Sequence, residues 1–219
     1  MGVVIDVILP ALNEALALPH VIKGLPTGYR AIVVDNGSTD DTMAVADALG
    51  ATVVHEPRPG YGAAVHAGVL RADSDVIAVM DADGSLDAQE LPRLVDLLTV
   101  EDADLAIGRR RPTSRKAWPW HARLGNRLVA HRLRHTLGVR LHDIGPMRVC
   151  HRTALIDLEI LDRRFGYPIE TVIRAAGANW RILECDVTYG PRAEGTHSKV
   201  TGSVTGTAKA VRDFYKVMS

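Results

Sequence analysis

Apolar runs of strand length alternate with segments of helical period through the first half of the chain. Residues 3–9 form a first apolar run closed by Pro10, and Asn13-Glu14 opens a helical pattern through Leu16, Leu18, Val21, Ile22 and Leu25. A second run, residues 31–34, ends in Asp35-Asn36-Gly37-Ser38-Thr39-Asp40. Those residues are turn and N-cap chemistry for a helix over 42–49. Residues 52–55 make a third strand, followed by Arg58-Pro59-Gly60-Tyr61-Gly62 and a small-residue helix over 63–70. The run 76–80 comes next, then a helix over 87–98 and a strand over 104–107. Strands alternating with helices through short connections predict an α/β fold, a doubly wound and mostly parallel sheet with helices on both faces. Beyond residue 107 the spacing predicts helices over 121–137 and 166–176 and a strand over 181–189. Leu124, Leu128 and Leu137 lie along the expected apolar side of the first of these helices.

The run 76–80 ends abruptly in Asp81-Ala82-Asp83-Gly84-Ser85. A fully buried parallel strand reads as a continuous apolar run, and open α/β sheets keep their ligands at its carboxyl end. Two aspartates there repel unless a cation sits beside them. Oxygen ligands of this kind suit Mg²⁺ or Mn²⁺, held by one or two carboxylates plus substrate phosphates. In isolation the same residues read as a turn with a helix cap. Convergence changes the balance, because the first two strands also end in polar groups, Asn13 with Glu14 and Asp35 with Asn36. Parallel strands bring these ends to one crevice, where the glycines flanking Tyr61 would let backbone approach a ligand.

Composition is that of a soluble globular protein, with 47% hydrophobic and 24% charged residues over 219 positions. Zero net charge conceals a division: residues 1–105 hold 5 Lys/Arg against 17 Asp/Glu, and residues 106–152 hold 12 against one. Cys150 and Cys185 form no disulfide framework, and neither a signal peptide nor a spanning apolar stretch is evident. The expectation is a cytoplasmic protein, either soluble or peripheral at the inner face of a membrane. The basic segment supports the peripheral placement. Arg109-Arg110-Arg111, Arg115-Lys116, Trp118 and Trp120 precede a helix on which Arg123, Arg127, His131 and Arg134 share one stripe. These residues read either as a solvated face or as an anion site, and a phosphate-headed lipid at an anionic surface would satisfy both arginines and tryptophans. Asp143 is the lone acid there, a counter-ion or a working group. Residues 204–218 carry apolar positions at helical spacing with Lys209, Arg212 and Lys216 between, which suits an interfacial helix, core packing or a second subunit.

Leu9-Pro10-Ala11-Leu12-Asn13-Glu14, Val34-Asp35-Asn36-Gly37-Ser38-Thr39-Asp40, Gly60-Tyr61-Gly62-Ala63-Ala64 and Met80-Asp81-Ala82-Asp83-Gly84-Ser85 resemble successive motifs of family 2 glycosyltransferases of GT-A fold. The polyprenyl-phosphate sugar synthases, the dolichyl-phosphate mannose synthase type, are the nearest likeness, over about residues 4 to 210. The resemblance implies one GT-A unit over 1–219, with a nucleotide-sugar half (1–105), an acceptor half (106–200) and a terminal helix (201–219). It implies a UDP- or GDP-linked sugar donor, a polyprenyl-phosphate acceptor and inversion by single displacement. Pro10, Leu12, Glu14, Asp35, Asn36, Gly62 and Ala82 would then contact the donor, Asp81 its ribose or the ion, and Asp83 the Mg²⁺ or Mn²⁺ ion that bridges to its phosphates. Leu12 stands where the family usually has an aromatic residue. Arg192-Ala193-Glu194-Gly195-Thr196-His197-Ser198-Lys199 resembles the Arg-x-x-Gly-x-Ser-Lys segment of the same synthases, which implies Arg192, Ser198 and Lys199 facing the diphosphate. His197 is a loop histidine or a further metal ligand. Arg109, Arg123 and Arg127 are the expected acceptor contacts. A phosphate acceptor is already ionised near neutral pH, whereas a hydroxyl acceptor needs a base, with Glu170 and Asp143 as candidates. Two other classes compete. A nucleotidyltransferase would carry a glycine-rich loop after the first strand, where this chain has Pro10-Ala11-Leu12-Asn13-Glu14. A nucleic-acid binder would use the twelve cations of 106–152 but leaves the strand-end carboxylates unexplained.

Overall fold

The computed structural model describes residues 4–193. Its strands are β1 (Ile5–Ala11), β2 (Tyr29–Asp35), β3 (Thr52–His55), β4 (Val76–Val79), β5 (Leu105–Pro112), β6 (Arg148–His151) and β7 (Ile182–Tyr189). The α-helices are α1 (Leu18–Lys23), α2 (Thr42–Ala48), α3 (Tyr61–Arg71), α4 (Leu91–Thr99), α5 (Trp120–Leu137), α6 (Arg152–Asp157) and α7 (Tyr167–Gly177). The strands form one seven-stranded sheet in the order β3-β2-β1-β4-β6-β5-β7. Only β6 runs against its neighbours β4 and β5; the other pairings are parallel.

Strand residues alternate between two cores, one on each face of the sheet. Val7 and Leu9 of β1 pack with α1, α2 and α4, through Leu18, Ala46 and Leu94 among others. Ile8 between them faces α3, α5 and α7, through Val65, Leu133 and Val172. This period of two with helices on both sides is the doubly wound arrangement. Buried Asp6 of β1 is paired within the sheet, accepting from Arg30 Nε at 2.9 Å and from the Asp73 and Ser74 N–H groups.

Three expectations from the pattern are corrected. The first helix begins at Leu18, not at Asn13. Asn13 adopts φ 58°, and the 38–42 turn holds the loop, with Asn13 N–H on Ser38 Oγ and Glu14 N–H on Thr42 Oγ1, both at 2.9 Å. The 104–107 strand extends through all three arginines to Pro112, because β7 supplies a parallel partner and Asp186 receives Arg109 and Arg111. Leu124 and Leu128 lie on the solvent side of α5, whose inward face is Ala122, Ala130 and Leu133. No described helix is long and apolar enough to cross a membrane.

Candidate active site

Because β1, β2 and β4 are parallel neighbours, their carboxyl ends open into one cleft of about 660 Å³. Pro10, Leu12, Glu14 and Asn36 line one part of it, and Asp81, Ala82 and Asp83 lie where β4 runs out. Asn36 ties this edge together, donating to the Glu56 and Arg58 carbonyls at 2.9 and 2.8 Å and accepting from Gly60 N–H at 2.8 Å.

The two acids differ in their surroundings. Asp83 is buried; its Oδ1 accepts from Ser85 N–H at 2.9 Å and from the Ser85 hydroxyl at 2.6 Å. Its Oδ2 faces Arg192 Nε at 3.1 Å. Asp81 receives no hydrogen bond from the described residues, and burial, then the neighbouring Asp83 charge, push its pKa up to about 7 against the pull of Arg192, Arg110 and Arg148. A divalent cation would relieve that repulsion. Among the described residues no cluster of three or more His, Cys, Asp or Glu surrounds a metal position. The pair therefore fits an ion that takes its remaining ligands from water and a bound diphosphate, as Mg²⁺ commonly does.

Arg110 lines the same cleft, and its charge acts on Asp81. Its guanidinium lies 4.0 Å from the centroid of the Trp118 ring and 5.4 Å from that of Tyr189. Asp143 accepts from Arg110 through backbone N–H (2.8 Å), Nε (2.9 Å) and Nη2 (2.7 Å), and Arg110 Nη2 also reaches Asn126 Oδ1 at 3.4 Å. Burial opposes the charge on Arg110, but Asp143 outweighs it and raises the guanidinium pKa. The same cleft is also lined by the apolar residues Pro119, Ile144, Pro146, Phe165 and Ile169.

The model of Glycosyl transferase family 2 matches residues 6–165. The chain belongs to that family. An uncharacterised glycosyltransferase of Mycobacterium bovis is 56% identical over 218 residues, 100% of this chain and 99% of that protein. The polyprenol monophosphomannose synthase of Mycolicibacterium smegmatis is 35% identical over 216 residues, covering 90% of this chain and 81% of that one. Among solved structures, glucosyl-3-phosphoglycerate synthase of Mycobacterium tuberculosis in complex with Mn²⁺, UDP-glucose and phosphoglyceric acid superposes with a TM-score of 0.75 at 26% identity. That match covers 99% of this chain and 80% of the synthase. The fold is thus GT-A and the protein a glycosyltransferase.

Several residues expected at the site of this glycosyltransferase are not among those that line the cleft. Asp35 is buried and serves the turn after β2, accepting from Gly37 and Ser38 N–H at 3.2 and 3.3 Å. Gly62 lets α3 approach the 162–167 segment, where a Cβ would stand 2.7 Å from Tyr167 Cβ and 2.8 Å from the Arg163 carbonyl carbon. Neither lines the cleft. Arg109 points to the sheet edge and Asp186, since β5 alternates and only Arg110 turns inward. Arg123 and Arg127 sit on α5 outside the cleft lining. Arg192 does line it, whereas His197, Ser198, Lys199 and the 201–219 segment fall outside the described residues. Tyr61, Arg164 and Phe165 are cleft residues that sequence reasoning missed, and Arg110, read there only as one cation of a solvated face or anion site, is the one of the three consecutive arginines that lines the cleft. The alternation of residues 109–111 was the available signal for Arg110.

Asp143 is the counter-ion of Arg110. Glu170 is likewise committed: its carboxylate accepts from Leu161 N–H (3.0 Å), Asp162 N–H (2.7 Å) and Arg174 Nε (2.6 Å). It lies outside the cleft lining and braces the segment that carries Arg164 and Phe165 into it. Burial raises its pKa, but those three donors outweigh burial and hold it below the ordinary glutamate value. With the folded pKa depressed, its contribution to stability is full above the unfolded value and lost as pH falls through the folded one. Glu170→Gln should destabilise the fold by about 1–3 kcal/mol and leave the pH profile of turnover unchanged. Loss of the acidic limb of that profile, with stability intact, would instead mark Glu170 as a base.

Proposed function

We propose that this glycosyltransferase moves a sugar from a UDP- or GDP-linked donor to a polyprenyl phosphate, with Mg²⁺ or Mn²⁺ held by Asp81 and Asp83. One observation carries the reading: the acid pair and the Arg110–Trp118 pair line the same cleft, together with the apolar residues Pro119, Ile144, Pro146, Phe165 and Ile169. A lipid phosphate needs this combination of a fixed cation and an apolar wall. The bound ion would neutralise charge on the departing nucleotide diphosphate.

Pro10, Leu12, Glu14, Asn36 and Ala82 form the donor wall, and Arg192, beside Asp83, is aimed at the diphosphate. Cations fixed before reaction lower the barrier where leaving-group charge develops. Ser198 and Lys199 join Arg192 in this role by the family resemblance alone. Arg110, kept charged by Asp143, binds the acceptor phosphate and presents its oxygen for single displacement with inversion. An ionised phosphate monoester needs no deprotonation at neutral pH, its second pKa being about 6. That agrees with a site in which Asp143 and Glu170 are both occupied. A soluble phosphorylated acceptor is the second reading, supported by the likeness to the phosphoglycerate-glucosylating synthase.

Labelled UDP- and GDP-sugars offered with Mn²⁺ to a short-chain polyprenyl phosphate or to phosphoglycerate separate these readings. Label moving into the organic phase is expected. Transfer to phosphoglycerate alone would replace the lipid acceptor, and no transfer from any donor would overturn the proposal.

A further inference from the structure

Trp120, Leu124 and Leu128 are 74%, 49% and 61% exposed and stand at i, i+4 and i+8 on α5, so they form one continuous apolar ridge. Single exposed apolar residues are ordinary, but an aligned ridge on one helix is not. Exposed Arg127 and Arg132 flank it on opposite sides by helical position, with Arg123 and Arg134 on the Arg127 side and exposed Arg115 and Lys116 just ahead of the helix. Residues 113–141 contain no Asp or Glu. We propose that this outward face of α5 docks the enzyme on an anionic lipid bilayer, with the Trp120–Leu124–Leu128 ridge in the headgroup region and the flanking cations on lipid phosphates.

The charge pattern selects this occupant. An apolar stripe edged by Arg and Lys, with a Trp at its end, is the pattern of a helix lying in the membrane interface. Cations beside such a helix gain from the negative surface potential of anionic lipids. Residues 194–219 carry four Lys/Arg against two Asp/Glu, the same sign as this face, so charge does not favour their covering it. The docked orientation also serves the site. Lys116, Ala117, Trp118 and Pro119 line the cleft immediately before α5 begins, so seating the helix brings that side of the cleft to the lipid surface. The inference deepens the acceptor reading above, yet bare lipid tests it without that reading.

The full-length protein is sedimented with vesicles of phosphatidylglycerol and phosphatidylcholine, free of any polyprenyl phosphate, and compared with the triple variant Trp120→Ser, Leu124→Ser, Leu128→Ser. Wild type should bind these vesicles, release them as salt is raised to about 0.5 M, and ignore pure phosphatidylcholine. The triple variant should bind at least about tenfold more weakly. Its thermal midpoint and its transfer to a water-soluble short-chain polyprenyl phosphate should remain those of wild type. Equal binding by variant and wild type would overturn the proposal, as would binding to neutral vesicles alone. So would wild-type protein that stays in the supernatant. In that case a dimer abolished by the triple substitution would assign the ridge to a second copy, and retention on RNA would assign the cations to nucleic acid. If vesicle binding is as expected but no lipid transfer is seen, the docking face stands and the acceptor assignment fails.

Discussion

Asp83→Asn should abolish sugar transfer while the chain stays folded. Asparagine keeps an oxygen for the Ser85 N–H and hydroxyl, the two bonds that shape the turn after β4. What it loses is charge: half of the acid pair and the partner of Arg192. A loss of about a thousandfold or more in turnover corresponds to about 4 kcal/mol of transition-state stabilisation, within reach of removing a metal ligand. Turnover with Mn²⁺ and a denaturant midpoint, measured together, check both halves of the expectation. Undiminished turnover would remove Asp83 from the chemistry. The acid pair also makes cation binding sensitive to pH. Burial and the Asp83 charge push the Asp81 pKa up to about 7, and a bound ion must displace that proton, so affinity for Mn²⁺ should rise as pH rises through about 7 and level off above it.

The second large effect concerns Arg110 and Asp143, whose side chains are only 14% and 2% exposed. Removing either partner leaves the other charge buried and uncompensated, at a cost of about 3–5 kcal/mol, or roughly 10 °C in thermal midpoint for a chain of this size. Arg110→Ala and Asp143→Ala should therefore both be strongly destabilised. They should part in kinetics measured below their melting range. Arg110→Ala raises KM for the acceptor because it also removes the cation over Trp118. Asp143→Ala affects the acceptor only through Arg110, so Arg110→Ala with Asp143→Ala in one chain should bind acceptor no worse than Arg110→Ala alone. An Asp143 variant of normal stability and no activity would point to direct chemistry by that carboxylate.

Much of this architecture is legible in the chain because parallel strands buried on both faces leave unbroken apolar runs. Residues 31–34 and 76–79 announce β2 and β4 in that way, and Asp81 and Asp83 follow directly. Burial obscured other parts. Arg109, Arg110 and Arg111 read as unneutralised cations beyond the strand, because nothing local discloses that Asp186 and Asp143 wait on distant segments to receive them. The four-residue β6 inserts between β4 and β5 and pairs antiparallel with both, a non-local event without a periodic trace. Asp35 and Glu170 show the complementary limit. A carboxylate at a strand or helix end looks alike whether it meets a ligand or backbone N–H groups, and here both accept from backbone. On α5, Leu124 and Leu128 share the composition of core leucines, and only packing shows that Ala122, Ala130 and Leu133 form the buried side.

Calorimetric titration of UDP and GDP, with and without Mn²⁺, tests the central claim that the strand-end acids hold a cation against a nucleotide diphosphate. One of the two nucleotides should bind with Mn²⁺ and lose at least about tenfold in affinity when the ion is chelated or when Asp81 and Asp83 are both changed to Asn. Equal affinity with and without the ion, unaltered by the double substitution, would contradict the account.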